Sequence, residues 1–333
     1  MQTRGVRAMS KQWMWVSHGA FAGLTAIAGC TGVLNGNGDD PAKPNGHDTP
    51  DAAGNDKDND PNVPDTSLDA ATPSEDAAIP GEDAATTTPS GLPSCTGAWI
   101  CDDFESGSVG AAPGAPWTTL APGGSATIDT TRAASGTRSV HFHVDHTADN
   151  ASAVLRAGQQ GTAISPGSNE MWGRMMMYLE RVPTYGAESE WGVHWDMIHA
   201  EGNVPGMPYR ANYNYGGMRE AHTMANYFIF DPWVDCWHNS NDDIPVGRWA
   251  CVEWHFAGAD DRMEFYIDGN IVSSLTVNGQ GQGCSGDATG GQWLAPTFDT
   301  LWVGWQHYQK ATNDIDLWLD DVAIDDTRIG CGP

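Results

Sequence analysis

Basic residues are scarce in this sequence. The 333 residues include 16 Lys and Arg against 43 Asp and Glu, which gives a formal net charge of −27 at pH 7. A protein that holds the phosphates of a nucleic acid needs a basic face. We therefore expect no nucleic-acid partner.

Helical patterning is also missing. No segment repeats its apolar residues at a 3.6-residue period over the length of a helix, and no internal repeat is seen. Beyond residue 30 there is no apolar run of the ~20 residues that a membrane-spanning helix needs. These absences disfavour helical and α/β folds and a second membrane segment.

The first 30 residues have the pattern of an export signal. Three basic residues precede an uncharged apolar segment that closes with Ile27-Ala28-Gly29-Cys30. Small residues before a cysteine match the lipobox of bacterial lipoproteins, so we predict a signal peptide over 1–29 and a lipid on Cys30. The alternatives are an ordinary cleaved signal and an uncleaved anchor. Thr31, where an aspartate would favour the inner membrane, indicates the outer membrane or cell surface, with the lipid as the only membrane contact.

Residues 30–93 are unsuited to a hydrophobic core. They consist mainly of Asp, Ala, Pro, Thr, Asn and Gly, with very few large apolar residues. Such a segment buries too little apolar surface to offset its chain entropy, and its like charges repel one another. We predict a disordered tether here, which leaves residues 94–333 as one folded domain.

Six cysteines follow Cys30. An exported compartment permits disulfides, but six cysteines allow 15 pairings, and spacing alone does not decide among them. Zinc binding is the alternative, although no pair of Cys-x-x-Cys motifs with ligand spacing is present. We expect three disulfides: Cys95–Cys101, Cys236–Cys284 and Cys251–Cys331.

The domain reads as strands separated by glycine-rich turns. Residues 139–144 alternate strictly and put Val140, Phe142 and Val144 on one face. Asp268-Gly269 stands between two apolar runs and predicts a hairpin, because both turn positions need positive φ. Many short strands without intervening helices predict an all-β, two-sheet jelly-roll sandwich with few short helices.

Specific motifs stand at both ends of this domain. They are Asp102-Asp103-Phe104-Glu105-Ser106-Gly107, Ser135-Gly136, Val303-Gly304-Trp305-Gln306-His307-Tyr308, Leu317-Trp318-Leu319-Asp320-Asp321-Val322 and Thr327-Arg328-Ile329-Gly330-Cys331. The motifs are similar to the ends of the fungal cellulose-induced protein core family, and the resemblance spans nearly all of 101–333. That family is a calcium-containing β-jelly roll related to glucuronan and alginate lyases, and lyase activity on glucuronan is attributed to it. The resemblance also supports the Cys251–Cys331 pairing.

The resemblance implies a calcium site at Glu105, Ser135 and Asp320. Ca²⁺ takes six to eight oxygen ligands, and acidic residues from distant segments repel one another unless a cation lies between them. We expect a structural ion that joins the first and last strands of the domain. The alternative is that these carboxylates are solvated residues at strand ends.

The family's chemistry, β-elimination at a uronate, needs three groups. One neutralises the substrate carboxylate, a base removes the C5 proton, and an acid protonates the leaving oxygen. The resemblance implies Arg210 for the first task, because a guanidinium grips a carboxylate with two hydrogen bonds. A two-residue strand period puts Asn212 and Asn214 on the same face as Arg210 and the neighbouring tyrosines on the opposite face. A surface salt bridge is the alternative for Arg210.

By the same resemblance, Tyr308 and His194 supply the base and the acid. A histidine titrates near neutral pH, whereas a tyrosine acts as a base only if a neighbouring cation lowers its pKa from ~10. His199 is the substitute for His194. The structural alternative for Tyr308 is a packed ring whose hydroxyl is satisfied.

Tryptophan is abundant, with 15 residues. Sugar rings stack on indoles, and five tryptophans lie in the segments expected near the site: Trp191, Trp195, Trp233, Trp237 and Trp305. Within other strands we expect burial in the core, for Trp254, Trp302 and Trp318.

Two functions from different classes fit these patterns. The first is a polysaccharide lyase that acts by β-elimination on a glucuronan-type polyuronate. The second is a non-catalytic, lectin-like domain that binds carbohydrate at the cell surface. The partner in both is a polysaccharide, either a uronic-acid-containing or a plant cell-wall glycan. An acidic domain repels a polyanion unless calcium and Arg210 create a local positive strip.

Overall fold

The computed structural model describes residues 91–158, 164, 167–186, 192–219, 221–286 and 288–332. The predicted signal peptide, Cys30, nearly all of the predicted tether and Trp191 lie outside the described residues. Within the described ranges, no helix has the length and apolar character to cross a membrane.

Nine strands form the first sheet, called sheet A. Its order is β13-β12-β11-β6-β17-β4-β3, with β1 also paired to β17 and β14 to β12. The strands are β1 Ile100–Asp102, β3 Gly124–Asp129, β4 Ser139–Val144, β6 Glu170–Leu179, β11 Trp249–Ala257, β12 Arg262–Ile267, β13 Asn270–Ile271, β14 Val277–Asn278 and β17 Ile315–Asp325.

Eight strands form the second sheet, called sheet B, in the order β15-β10-β9-β8-β7-β16-β5-β2. The strands are β2 Thr118–Leu120, β5 Ser152–Gly158, β7 His194–Asn203, β8 Arg210–Met218, β9 His222–Ile229, β10 Val234–Asp243, β15 Gly283–Ser285 and β16 Thr297–His307.

All strand pairs in both sheets are antiparallel, and helical structure in the described residues is limited to two short 3-10 turns, Gly258–Asp260 and Ser273–Leu275. The predicted all-β sandwich of jelly-roll type is confirmed. The predicted hairpin is also present, since Asp268 and Gly269 join β12 to β13 with φ of 50° and 77°. Both turn residues have the positive φ that a two-residue hairpin needs.

The hydrophobic core lies between the sheets and follows strand alternation. In β4, Val140, Phe142 and Val144 are fully buried, whereas His141 and His143 face outward and bind Asp316. The predicted alternation of this strand is therefore correct. Burial of this kind contributes roughly 1.5–3 kcal/mol for each large apolar side chain.

The three predicted disulfides are all present. Cys95–Cys101 closes a short loop, Cys236–Cys284 joins the neighbouring strands β10 and β15, and Cys251–Cys331 ties the end of the chain to β11. The last two pairs link positions 48 and 80 residues apart in the sequence. They fasten an edge of sheet B and the chain segment that follows β17.

Candidate functional site

A polar surface covers the outer face of sheet B, opposite the core. Along β8, Tyr213 and Tyr215 are buried in the core, while Arg210, Asn212 and Asn214 make their hydrogen bonds on the other side of the strand. The predicted division of this strand into a tyrosine face and an arginine–asparagine face is correct. The outer face therefore brings together side chains from β7, β8, β9, β10 and β16.

A buried carboxylate joins the two residues predicted to transfer protons. The Tyr308 hydroxyl donates to Asp196 Oδ2 at 2.6 Å, and His194 Nε2 lies 3.6 Å from Asp196 Oδ1. The ring centroids of His194 and Tyr308 are 4.7 Å apart. Asp196 has no solvent exposure, and its Oδ1 has no hydrogen-bond partner in the described part of the chain. We call these three residues the acid–base cluster.

A chain of amides extends from the acid–base cluster across the sheet. Asn214 Nδ2 donates to Asp196 Oδ2 at 3.4 Å and to Asn226 Oδ1 at 3.3 Å. Asn226 Nδ2 in turn donates to Asp235 Oδ1 at 2.9 Å. From Tyr308 at the end of β16, the network crosses β7, β8 and β9 to β10. It ties five neighbouring strands together at the site.

The surroundings of the cluster shift the pKa values of His194 and Tyr308. Burial lowers the pKa of His194, but its interaction with Asp196 and the charge of Asp235 outweigh burial, so that the net shift is upward. Burial and the adjacent Asp196 raise the pKa of Tyr308 well above 10. Tyr308 therefore has a carboxylate, rather than a cation, as its neighbour. It keeps its proton and is suited to act as an acid, not as a base.

Asp235 completes the charges around the cluster. Burial raises its pKa above the ordinary range, with a smaller contribution from Asp196, and the hydrogen bond from Asn226 and the charge of His194 only partly offset that effect. Asp196 and Asp235 thus lie on the same face as His194. Burial lowers the pKa of this histidine, and the two carboxylates raise it.

Gly216 of β8 makes room for the cluster. A Cβ atom at this position would lie 2.7 Å from Asp196 Oδ1 and closer still to the carbonyl oxygen of Trp195. Carbon and oxygen atoms do not approach that closely without a bond. The close approach of β8 to Asp196 therefore requires glycine at this position.

A second group of charges, called the arginine cluster, lies further along the same face. Arg210 donates to both carboxylate oxygens of Asp299, at 2.8 and 2.7 Å, and Arg156 donates to Glu201 at 2.6 Å. Burial raises the pKa of Glu201, but His199 and the two arginines outweigh burial and bring the pKa to about 2. The Glu201 carboxylate thus stays ionised beside the two arginines.

Arg210 does not join the acid–base cluster. It precedes Asn214 by four residues on an extended strand, a separation of about 13 Å. Its guanidinium is occupied by Asp299, which matches the salt-bridge alternative for this residue. The expected convergence of Arg210 with His194 and Tyr308 is absent because a strand of this length separates them.

His199 lies between Asp196 and Glu201 on β7. Its ring stacks on Trp302, with centroids 4.8 Å apart, and its Nε2 lies 3.0 Å from Asn212 Nδ2. His199 Nδ1 and Asn212 Oδ1 are buried and have no hydrogen-bond partner among the described residues. These atoms are available to a ligand on this face.

Two of the tryptophan predictions are wrong. Trp195 and Trp305, expected near the ligand, are fully buried and stack on each other inside the core at 4.6 Å. Trp302 and Trp318 are buried as expected, at 8% and 6% exposure; Trp302 stacks on His199, and Trp318 belongs to a second buried cluster with Tyr178. Trp254 is in the core as expected.

Trp233 is an exposed aromatic residue of this surface. Its side chain is 43% exposed and meets Phe228 edge-on, with centroids 4.9 Å apart. Phe228 is opposite Asn212 on β8 and opposite Asp235 on β10, so it shares their face of the sheet. We call Phe228 and Trp233 the aromatic rim. Trp237 of β10 is aligned with Asn226 and lies on the same face.

Glu105 and Asp320, two of the residues predicted to bind calcium, both form hydrogen bonds to the loop at residues 134–138. Glu105 accepts hydrogen bonds from the backbone N–H groups of Thr137 and Arg138, both at 2.7 Å. Asp320 accepts from the backbone of Ala134 and Ser135, at 2.8 and 3.1 Å. Both carboxylates therefore anchor residues 134–138, and the first and last strands of the domain meet at this loop.

The chemistry of this donor set fits a cation. Burial and the neighbouring Asp321 raise the pKa of Asp320 to about 7. Asp321 Oδ2 is buried without a partner in the described residues, and the Ser135 hydroxyl donates to the other oxygen at 3.0 Å. Burial is the main cause of the raised pKa of Asp321, and the charges of Asp103 and Glu105 raise it further. Mutually repelling carboxylates with an unused oxygen are suited to Ca²⁺.

A further group of possible metal ligands lies elsewhere in the domain. In the described chain, Asp145, His146 and Asp314 have one ligand atom each within 4.8 Å of the others. The contact between His146 Nδ1 and Asp314 Oδ1, at 2.5 Å, is a hydrogen bond within this group. Sequence patterning did not single out these residues.

Asp196, Asn226 and Asp235 were not predicted from the sequence. Asp196 stands two residues after His194, which is the spacing of neighbours on one face of a strand. That spacing was an available signal. Asn226 and Asp235 offer none, since their place in the network depends on the pairing of β8 with β9 and β9 with β10.

Residues 238–327 match the family model Polysacc_lyase-like: Cip1-like, core domain. This match confirms the family resemblance. The matched segment contains Tyr308 and Asp320 and ends before Cys331, while His194, Arg210 and Asn214 precede it. No curated protein matches the chain.

Solved structures are similar to this chain at low sequence identity. The structure titled "Cellulose induced protein, Cip1" is 23% identical, with a TM-score of 0.49 and coverage of 70% of this chain and 100% of that one. An endo-1,3-beta-glucanase from Streptomyces sioyaensis is 12% identical over 68% of this chain and 94% of its own, with a TM-score of 0.40. The PL7 alginate lyase AlyA1 from Zobellia galactanivorans is 9% identical over 57% and 78%, with a TM-score of 0.34.

Proposed function

We propose that the outer face of sheet B cleaves a glucuronan-type polyuronate by β-elimination, as a polysaccharide lyase-like site. The Cip1-like match supports a carbohydrate-active β-sandwich. The observation that carries the proposal is the acid–base cluster, in which the rings of His194 and Tyr308 lie 4.7 Å apart beside the buried Asp196. A histidine and a tyrosine side by side can remove a proton from one atom and deliver one to another.

In this reaction His194 is the base and Tyr308 is the acid. The raised pKa of Tyr308 keeps its hydroxyl protonated until the leaving oxygen needs a proton. His194 takes the C5 proton, the C4=C5 double bond forms as the C4–O4 bond breaks, and Tyr308 donates its proton to O4. His194 then releases a proton to water and Tyr308 regains one, which restores the starting state.

The substrate carboxylate needs a donor beside the cluster, and Asn214 is suited to this task. Its two hydrogen bonds, 3.4 and 3.3 Å long, are near the upper limit for N–H···O contacts. Weakly held amide hydrogens can turn toward a bound carboxylate at little cost. Arg210 is too distant for this role and would instead contact a neighbouring sugar of the same chain.

The aromatic rim supports a sugar ligand. Trp233 exposes 43% of its side chain beside Phe228, and Phe228 is opposite Asn212 on the adjoining strand. An exposed ring face next to polar side chains can stack against a sugar ring while those side chains bind its hydroxyls. A glycan that lies across β8 and β9 would meet the rim at one end and the acid–base cluster at the other.

We also propose that Ca²⁺ binds between Glu105, Ser135 and Asp320 and stabilises the fold. The support is the group of carboxylates around the 134–138 loop, together with the unpaired, buried oxygen of Asp321. The ion would add positive charge to that of Arg138 and Arg174, which already act on Glu105 and Asp321. It would close the sandwich and take no part in bond cleavage.

The proposed setting of the domain is the cell surface. A signal peptide over 1–29, a lipid on Cys30 and a flexible acidic tether up to residue 93 would hold the domain at a membrane through the lipid alone. Metabolic labelling with a radiolabelled fatty acid tests this proposal. Label should enter the wild-type protein and be lost in Cys30→Ala, and label retained in that variant would exclude Cys30 as the lipid site.

Binding without cleavage is the second candidate. The observation that favours it is charge: Asp196, Glu201, Asp235 and Asp299 lie on the same face as Arg156 and Arg210. A surface with more carboxylates than arginines repels a polyanion. A neutral glycan would not meet this repulsion, and its hydroxyls could donate to the unpaired acceptors of the face.

One experiment separates the two functions. Purified protein is incubated with glucuronan, alginate and neutral β-glucans in the presence of calcium, and the absorbance of the unsaturated uronate product is followed. The lyase proposal expects a rise with a polyuronate that is lost in Tyr308→Phe. Binding of a glycan measured by calorimetry, with no product from any substrate, would support the lectin-like function and exclude the lyase.

A further inference from the structure

Asp196 touches both members of the proposed acid–base pair. Its Oδ2 accepts the hydroxyl proton of Tyr308 at 2.6 Å, and its Oδ1 faces His194 Nε2 at 3.6 Å. The side chain is fully buried, and Oδ1 has no other partner in the described residues. A buried carboxylate is costly unless charged or donor groups compensate it, so its presence here calls for a role.

We propose that Asp196 is a positioning residue that assigns the two proton-transfer roles, holding His194 as the base through Oδ1 and Tyr308 as the acid through Oδ2. This inference rests on the proposed lyase function and deepens it. Asp196 itself contacts no substrate and changes no bond.

Toward His194, Asp196 selects the tautomer. An acceptor that faces Nε2 favours the form with the proton on Nε2, which leaves the lone pair on Nδ1. Nδ1 is then the atom that takes the C5 proton. The resulting imidazolium is stabilised by the carboxylate 3.6 Å away, as a base oriented by a third group.

Toward Tyr308, Asp196 keeps the proton in place. A phenolate next to a carboxylate is disfavoured, and the hydrogen bond at 2.6 Å holds the hydroxyl between turnovers. On substrate binding the hydroxyl turns to the leaving oxygen. The same negative charge that strengthens the base thus prevents Tyr308 from losing its proton early.

The charged and titratable groups that face His194 come from three strands. Asp196 is on its own strand, Tyr308 follows β16, and Asp235 on β10 adds a weaker attraction. Since Asp235 remains when Asp196 is neutralised, the change caused by Asp196 can be measured separately. Tyr308 is neutral in the resting state and contributes no charge.

The test is Asp196→Asn, which keeps the shape of the side chain and removes its charge. The His194 pKa, followed by NMR titration of its ring signals, should fall, because the attraction to the carboxylate is lost. The acidic limb of the kcat/KM profile should move to lower pH with it, and kcat should fall about 10²-fold or more with little change in KM. An unchanged His194 titration or an unchanged pH profile would overturn the proposal.

Asp316→Asn is the matched control. Asp316 accepts from His141 and His143 on the outer face of sheet A, so its loss should leave the His194 titration and the activity unchanged. If Asp196→Asn does not fold, the wild type still decides. Nitrogen shifts at high pH should report the Nε2–H tautomer of His194, and the Nδ1–H tautomer would exclude the proposed role.

The outcomes also separate this inference from the function on which it rests. A wild type that yields no unsaturated product, but whose His194 pKa falls in Asp196→Asn, would refute the lyase and keep the coupling of the two residues. An active wild type whose pH profile is the same in Asp196→Asn would keep the lyase and refute the role of Asp196.

Discussion

Both terminal nitrogens of Arg210 donate to the carboxylate of Asp299, at 2.8 and 2.7 Å. The pair is about one-third exposed on each side. Because the guanidinium fork is already filled, Arg210 cannot grip a substrate carboxylate with two hydrogen bonds unless Asp299 releases it.

The first prediction follows from that pair. Asp299→Asn should free Arg210 and increase the affinity for a polyuronate by up to about fivefold, since an exposed ion pair contributes up to about 1 kcal/mol. The affinity for a neutral β-glucan should not change. Calorimetric titration with both glycans checks the difference, with Asp316→Asn on the other sheet as the control for removal of a charge. An equal gain for both glycans would contradict the prediction.

Tyr308→Phe should lower kcat by about 10²-fold or more, because the leaving oxygen loses its proton donor. Its stability should fall by about 1–3 kcal/mol, since the buried Asp196 loses a donor. Tyr266→Phe is the matched control, as this hydroxyl binds Glu264 at 3.2 Å on the outer face of sheet A. Steady-state rates and thermal melts of both variants are compared. Equal kcat in the two variants would exclude Tyr308 as the acid.

Trp233→Ala should weaken glycan binding by about three- to tenfold, the energy of one aromatic contact. The melting temperature should hardly change, because the side chain is 43% exposed. Ile271→Ala, at an exposed apolar position of sheet A, is the control and should leave binding unchanged. Affinity electrophoresis in gels that contain the glycan measures both. Normal mobility of Trp233→Ala would remove the aromatic rim from the site.

Chelation of calcium should lower the melting temperature by about 5 °C or more, since a ligand that binds only the folded state stabilises it by mass action. Calcium added back in excess should restore the melt of the wild type. Asp321→Asn should melt lower in calcium and respond less to EDTA than the wild type, while the surface variant Asp326→Asn should behave like the wild type. An identical melt with and without EDTA would exclude the ion.

The Cys251–Cys331 disulfide closes a much longer loop than Cys95–Cys101, 80 residues against six. Chain entropy in the unfolded state then predicts a stability loss of about 4 kcal/mol when the first pair is replaced by alanine, against about 2 kcal/mol for the second. Denaturant titrations of the two double variants measure the difference. A larger loss for Cys95–Cys101 would contradict the loop-length account.

The fold was predictable because its signals are local. Alternation in 139–144, the Asp268-Gly269 turn and the absence of helical periodicity each point to antiparallel strands. All three disulfides and the two faces of β8 were predicted as well. The two faces of β8 follow from the strand period, and Cys251–Cys331 from the motif resemblance, both of which are visible in a single sequence.

The site was less predictable because of a bulge in β7. Asp196 pairs with Gly216 and Ile198 with Tyr215, so Met197 is an extra residue. After the bulge the odd-numbered His199 and Glu201 face outward, but before it the even-numbered side chains do. If a strict two-residue period is applied backward from His199, it predicts that Trp195 faces outward and Asp196 inward. The structure has the reverse arrangement.

The acid–base cluster depends on the absence of a side chain at Gly216. Any other residue there would place its Cβ 1.9 Å from the carbonyl oxygen of Trp195 and 2.7 Å from Asp196 Oδ1, so that β7 and β8 would have to separate beside the carboxylate that binds Tyr308. A single nucleotide change at this codon could thus silence the chemistry while every ionisable group of the face stays intact. Natural relatives that have lost glycine here would be candidates for binders that descend from enzymes.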